Sequence, residues 1–401
     1  MKSKERIILL LLAAINFTHI LDFMIMMPLG NYLMPFFNIS SSQFSMLVAG
    51  YTFSAGISGF LAAFFVDNFD RKKVLLFGYT GFLLGTLCCA LSPTYTFLLI
   101  SRILAGVFGG LIGAQVLSIV ADLIPYERRG MAMGLIMAAF SVASVFGVPF
   151  GLYIANIFNW HGPFFFVVIV GATLIPFIIR YLPKMDEHVH HNKHLRASPL
   201  ALIGDVCRDK DQLLALASTA CLMLGHFLII PFLNPFMEFN MGYSKVQTPM
   251  IYMVGGALTL ISSPLIGRVA DNIGKHRLFV IMALMAIIPI ALITNLPIIP
   301  FYVVLCITGF WFVVSSGRMI PAQAMISNVV KPERRGSFMS FNSSVQQIFV
   351  GLASVFAGLI VIKTPANKIL NYEITGYISI VITLLSIFFV SKLNTRLIKK
   401  D

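Results

Sequence analysis

Apolar positions in this chain come in long blocks, not in the short alternations of a half-buried sheet. Runs long enough to cross a bilayer lie at about 7–35, 42–66, 74–92, 96–124, 130–156 and 163–182. They resume at about 212–237, 247–267, 278–296, 299–329, 337–362 and 374–392. About 20 apolar residues in a helix span the hydrocarbon core, so the pattern predicts twelve membrane helices and an all-α integral membrane fold. A polar stretch, 183–211, contains MDEHVHHNKH and separates residues 1–182 from 212–401, six spans on either side. Pro28, Pro231 and Pro235 fall inside spans 1 and 7 and predict bends there, because proline removes a backbone hydrogen bond.

Composition agrees with that pattern. Of 401 residues, 58% are hydrophobic and 11% charged, whereas a soluble domain carries about 25% charged residues. The net charge of +13 suggests nucleic acid only until its placement is read. With the N-terminus set in the cytoplasm, twenty-four of the Lys and Arg residues fall in inner segments. Only Lys245, Lys363 and Lys368 fall outside, and Arg102 and Arg318 fall within spans. Basic residues resist translocation, so both termini are expected in the cytoplasm, and the charge marks topology, with no nucleic-acid partner. MKSKER followed by an apolar run imitates a secretory signal, but the run continues without a small-residue cleavage site and is read as a retained first span. Cys88, Cys89, Cys207, Cys221 and Cys306 show no metal or redox spacing. The linker histidines His188, His190, His191 and His194 lack companion ligands and read as a solvated loop, so no metal or cofactor is expected.

The halves repeat each other. ERRG stands at Glu127–Gly130 and again at Glu333–Gly336, and Asp67-Asn68-Phe69-Asp70-Arg71-Lys72 recurs as Asp271-Asn272-Ile273-Gly274-Lys275-His276. His19 and Pro28 match His226 and Pro235, and Ala114-Gln115 matches Ala322-Gln323, all at nearly one shift. A duplicated six-span unit places a substrate site between two halves. With these repeats, the span 4 sequence Arg102-Ile-Leu-Ala105-Gly106-Val-Phe-Gly109 and the span 5 sequence Gly147-Val148-Pro149-Phe150-Gly151, the chain resembles the major facilitator superfamily. Within it, the chain is similar to the twelve-span drug:proton antiporters and the arabinose-type sugar-efflux permeases. The loop after span 2 departs from the family pattern, because both of its glycines are replaced. The span 5 motif carries one inserted residue. The resemblance implies two pseudo-symmetric six-helix bundles. It also implies that the bend at Gly147, Pro149 and Gly151 seals the cavity.

Intramembrane charges are costly and point to function. Asp22 lies about fifteen residues into span 1, near the midplane at about 1.5 Å per residue. Arg318 lies at a similar depth in the other half, and Arg102 in the outer half of span 4. Asp22 is the candidate proton carrier with Arg102 and Arg318 as its modulators, and a static ion pair would use the same residues. In the related antiporters, an acidic residue in span 1 and an arginine in span 4 recur. His19 and His226 occupy matching positions on spans 1 and 7. Imidazole titrates near neutral pH, so they are candidates for the cavity with Asn16, Gln115, Asn234 and Gln323, although packing would also account for a buried histidine. Glu238 is expected at the outer mouth, solvated. Gly106 with Gly110, and Gly109 with Gly113, allow close helix approach.

The loops facing the cytoplasm read as a gate. Asp67 and Asp271 are placed to meet helix N-termini of the opposite half, near Gly336 and Gly130, where a carboxylate is favoured. Arg71, Lys72, Arg128, Arg129, Lys275, Arg334 and Arg335 would add ion pairs across the halves. Positive-inside topology alone explains most of those cations. The expected function is secondary active transport, proton-coupled efflux of a small organic or amphipathic compound, drug- or sugar-like, by a monomer in a bacterial-type inner membrane. Proton-coupled import or facilitated passage of a polar nutrient is the alternative within transport, and a non-transporting receptor is the alternative outside it. No HExxH, GxSxG or P-loop pattern is present, so neither an enzyme nor an ATP-driven pump is expected.

Overall fold

The computed structural model describes residues 3–62, 64, 69–124, 126–185, 204, 206, 208–330 and 335–398. The first half runs α1 (Ser3–Met26), α2 (Gly30–Phe36), α3 (Ser41–Ala62), α4 (Arg71–Ala90), α5 (Tyr95–Leu123), α6 (Tyr126–Val142), a π-turn (Ala143–Gly147), α7 (Val148–Phe158) and α8 (Gly162–Tyr181). The second half runs α9 (Lys210–Phe227), α10 (Ile230–Phe239), α11 (Thr248–Ile273), α12 (Lys275–Thr294), α13 (Phe301–Ser327), α14 (Arg335–Ile360), β1 (Ile362–Lys363), β2 (Ile369–Leu370) and α15 (Tyr372–Ile398). The two short strands form one antiparallel hairpin, Ile362 opposite Leu370 and Lys363 opposite Ile369. Among the described residues, twelve stretches are long and apolar enough to cross a membrane.

Spans 1 and 7 are each two helices. Pro28 lies in the turn between α1 and α2, and Pro231 opens α10, in which Pro235 is internal. Span 5 is interrupted as well. The π-turn at Ala143–Gly147 precedes Pro149 in the first turn of α7, so a π-bulge followed by a proline stands where the bend at Gly147, Pro149 and Gly151 is expected. The repeated loops use different chemistry for one job. Gly274, at φ 94°, breaks the chain between α11 and α12 in a conformation that disfavours a side chain. In the first copy that place belongs to Asp70, whose carboxylate caps α4 by accepting from Lys72 N (2.9 Å) and also accepts from Met185 N (3.0 Å).

Small residues set the packing, as expected where lipid removes the hydrophobic drive between helices. A Cβ on Gly85 would stand 2.7 Å from Ala105 Cα, and one on Gly106 would stand 2.1 Å from Ser54 Oγ and 2.3 Å from the Tyr51 carbonyl oxygen. These contacts press α5 against α4 and α3. Across the halves, Gly351 faces Thr52 and Phe53, Gly358 faces Ser45, and Gly256 faces Ser144. Thus α14 lies along α3, and α11 lies against the π-turn. Large apolar side chains such as Phe77, Phe146, Ile169, Leu359 and Val381 are exposed on the outside of the bundles, a surface suited to lipid and not to water.

Substitution of Gly106 by valine is expected to lower the stability of the detergent-solubilised protein by about 1–3 kcal/mol, through overpacking against backbone. Gly113→Ala, with nothing within 4 Å of the added carbon, should leave the thermal midpoint unchanged. Equal midpoints for the two variants would contradict the packing assignment.

Candidate functional site

The centre of the first half holds a charge pair sealed from solvent. Arg102 Nη1 donates to Asp22 Oδ2 at 2.8 Å, and both side chains are 0% exposed. The pair joins α1 to α5. Thr86 of α4 donates to the other carboxylate oxygen at 3.3 Å, and the guanidinium lies over the Tyr51 ring of α3, 4.4 Å from its centroid. A cation over an aromatic face is stabilised by the ring quadrupole, and more so when desolvated. The close approach at Gly106 places that ring there. Asp22 thus has two donors. Arg102 has one carboxylate and one ring, and its Nε and Nη2 have no hydrogen-bond partner.

His19 lies next to this pair, with its ring 5.6 Å from Phe82 and 6.4 Å from Tyr51. It is half-buried, and its Nε2 is unpartnered. Its repeat mate His226 stacks on Trp311 at 5.0 Å. Gln115 is buried with Oε1 unpartnered, and Gln323 is half-buried. Asn16 Nδ2 donates to the Ile136 carbonyl at 3.1 Å and ties α1 to α6.

Arg318 is not beside Asp22. It is 1% exposed, and its Nη1 donates to Thr383 Oγ1 of α15 at 2.9 Å. The midplane depth common to both residues does not bring them together, because Asp22 faces α4 and α5 within its own half.

Asn234 and Glu238 also differ from expectation. Asn234 is buried in a contact between the halves, donating to the Pro28 carbonyl (2.9 Å) and to Asn31 Oδ1 (3.2 Å). The bend at Pro28 frees that carbonyl for a side chain of the other half. Glu238 is half-buried, not solvated, and accepts from Asn31, from Thr248 Oγ1 (2.7 Å) and from Asn234 (3.4 Å). Nearby, Asn156 donates to the Lys245 carbonyl at 3.1 Å, while the Lys245 ammonium sits 4.2 Å from the Tyr32 ring centroid. These bonds fasten the halves at the end remote from the chain termini. None of these partners stands in a motif, but Asn31 follows Pro28 by three residues, and a polar residue beside a helix break was the available signal.

At the terminal face, the described gate candidates make contacts within their own half. Arg71 pairs with Asp122 of α5, and Lys72 Nζ donates to the Ile179 carbonyl at 2.7 Å. The Lys72 contact accords with the Asp70–Met185 bond, which holds the start of α4 beside the end of α8. Asp271 does not reach the helix near Gly130. The α11 helix runs on to Ile273, so the Asp271 carboxylate is 74% exposed and sits 4.0 Å from Lys275, one turn along. Arg396 and Asp211 pair at 2.8 Å, again within one half. Asp67, Arg334 and the side chains of Arg128, Arg129 and Arg335 lie outside the described residues. Asp70, Thr86, Tyr51 and Asp122 are contact residues that sequence reasoning passed over.

Twelve spans stand in two repeated bundles, with a buried ion pair in one and a polar seal between them at one end. The Major Facilitator Superfamily model matches residues 12–348, and the chain belongs to that superfamily. An uncharacterized MFS-type transporter of Bacillus subtilis, YwfA, is 27% identical over 324 residues, covering 80% of this chain and 75% of the relative. Multidrug resistance protein 2 of the same organism is 24% identical, covering 88% of each chain. Among solved structures, a bacterial homolog of the human lysosomal transporter Spinster, inward-facing, superposes with a TM-score of 0.79 at 15% identity, covering 100% of this chain and 98% of that one. A D-xylose-proton symporter gives a TM-score of 0.76 at 18% identity, covering 96% and 97%. These structures agree in fold.

Removing one member of a buried pair leaves an uncompensated charge, at a cost of about 3–5 kcal/mol. Asp22→Asn is therefore expected to lower the thermal midpoint of the solubilised protein, and Asp22→Asn with Arg102→Gln to recover much of the loss. A double variant no more stable than the single one would contradict the pairing.

Proposed function

We propose that this protein is a proton-coupled exporter of a small organic or amphipathic compound, working by alternating access as a monomer. It sits in a bacterial inner membrane with both termini cytoplasmic. The observation that carries this reading is the fully buried Asp22–Arg102 pair on helices α1 and α5. A proton on Asp22 cancels the carboxylate charge and weakens its hold on Arg102, so the contact between α1, α4 and α5 depends on protonation. Loss of the proton restores the pair. If the two arrangements belong to different openings of the cavity, proton binding and release drive the exchange between them.

Three observations support the remaining parts. The distribution of lysine and arginine favours cytoplasmic termini. The two bundles, residues 1–182 and 212–401, would rock about their small-residue contacts, with 183–211 as the connecting linker. The Asn31–Glu238–Asn234 seal would be the extracellular closure, and the gate residues at the opposite face, including Asp67, Asp271 and Arg71, would form their cross-half contacts in the alternate state. The similarity to multidrug resistance protein 2 supports export over import. Antiport of this kind balances simply: the compound leaves as a proton enters.

Purified protein in proteoliposomes with an imposed pH gradient tests the proposal against a panel of amphipathic compounds. Compound movement should run opposite to proton movement, and Asp22→Asn should reduce proton-driven transport to the level of empty vesicles. Wild-type proton-driven rates in Asp22→Asn would remove the carrier role. Compound and proton moving together would replace export by import.

A further inference from the structure

Arg318 is a buried cation with an unfinished set of partners. Only Nη1 is bonded, to Thr383, while Nε and Nη2 have no partner. No carboxylate pairs with it among the described residues. The membrane-buried parts of its neighbours supply none: α12 and α13 contain no Asp or Glu, Asp211 of α9 is held by Arg396, and Glu373 lies in the first turn of α15. An ionised side chain at this depth is costly unless something compensates it.

The unpartnered donors do not end with Arg318. Trp311 Nε1, Ser315 Oγ and His226 Nδ1 are also buried atoms without a partner. Residues 311, 315 and 318 share one face of α13, since four- and three-residue steps return to the same side of a helix. His226 of α9 stacks on Trp311, and Arg318 acts on His226 electrostatically. Gly225 abuts Thr383, whose hydroxyl would stand 3.4 Å from an added Cβ. One guanidinium, one indole N–H and two further polar groups therefore line the junction of α9, α13 and α15, and the charged member is a donor only.

We infer that this cluster is a substrate subsite for an organic carboxylate. Arg318 Nε and Nη2 would hold the carboxylate in the forked geometry that guanidinium favours. Trp311 and Arg318 are about 10 Å apart along α13, at about 1.5 Å per residue. The body of the ligand extends that way, toward the Ser315 hydroxyl and the indole. His226, half-buried, is the member nearest to an open surface. Such an anion supplies the charge that the cluster lacks, which no packing role does. This inference rests on the transporter reading but not on proton coupling, so the two fail separately.

The chain has two tryptophans, and Trp160, stacked on His161 beside α7, is remote from the cluster. In a Trp160→Phe background, Trp311 fluorescence reports on the subsite of the full chain in nanodiscs. The probes are 4-nitrobenzoate and 4-nitrobenzyl alcohol, then a series of unsubstituted aliphatic and aromatic monocarboxylates as competitors, and inorganic phosphate. Expected are saturable quenching by nitrobenzoate but not by the alcohol, competition by at least one organic carboxylate, and no competition by phosphate. Arg318→Gln should weaken nitrobenzoate at least tenfold, with Arg318→Lys in between. Without ligand, Arg318→Met should melt no lower than the parent, because it removes an uncompensated charge. Equal quenching by acid and alcohol, no saturable response to any carboxylate, competition by phosphate, or an affinity unchanged in Arg318→Gln would each overturn the assignment. So would a marked fall in the melting midpoint of Arg318→Met, which is the mark of a structural arginine.

Discussion

The rest of the structure depends on the burial of one ion pair in a medium that does not tolerate lone charges. Asp22 and Arg102 are each fully enclosed, and in hydrocarbon either one alone would cost about 2.5–3.5 kcal/mol on insertion scales. Their mutual bond therefore dictates how α1 meets α5. The close contacts at Gly85 and Gly106 let Arg102 reach inward, and they place Tyr51 and Thr86 around the pair. In the proposed coupling, cancelling one charge of the pair would change the balance for both.

The two ends of the molecule are fastened differently. At the end remote from the termini, Asn234 bonds the carbonyl released at Pro28, and Asn234 and Glu238 both bond Asn31 of the other half. At the terminal face, the pairs Arg71–Asp122, Lys275–Asp271 and Arg396–Asp211 each remain within one half. Small residues along α3, α14, α11 and the π-turn keep the contact between the halves smooth, which suits surfaces that must move against each other.

The fold was legible because lipid leaves few alternatives. Only helices satisfy their own backbone in a bilayer, so apolar run length alone marks the spans, and the prolines at 28, 231 and 235 mark the broken ones. The internal repeat marks the two bundles. Contacts were less legible, and for a physical reason: sequence gives depth, not azimuth. Asp22 and Arg318 share a depth, yet they face different neighbours. Asp271 stands at the expected loop position, but one further turn of α11 turns it toward Lys275. Asn234 and Glu238 read as lone polar residues, and only the fold shows them meeting Asn31 from the other half. A polar residue in a span announces that it has a partner without saying which.

In the proposed mechanism, Asp22 takes up and releases a proton within a buried pair. Infrared difference spectra of the purified protein, recorded across an acid-to-neutral titration, read this directly through the carbonyl stretch of a protonated carboxyl. A titrating band is expected in the wild type and not in Asp22→Asn. A spectrum in which the wild type and Asp22→Asn show identical carboxyl bands would mean that Asp22 stays ionised throughout. The pair would then be a fixed brace between α1 and α5 and not the coupling site.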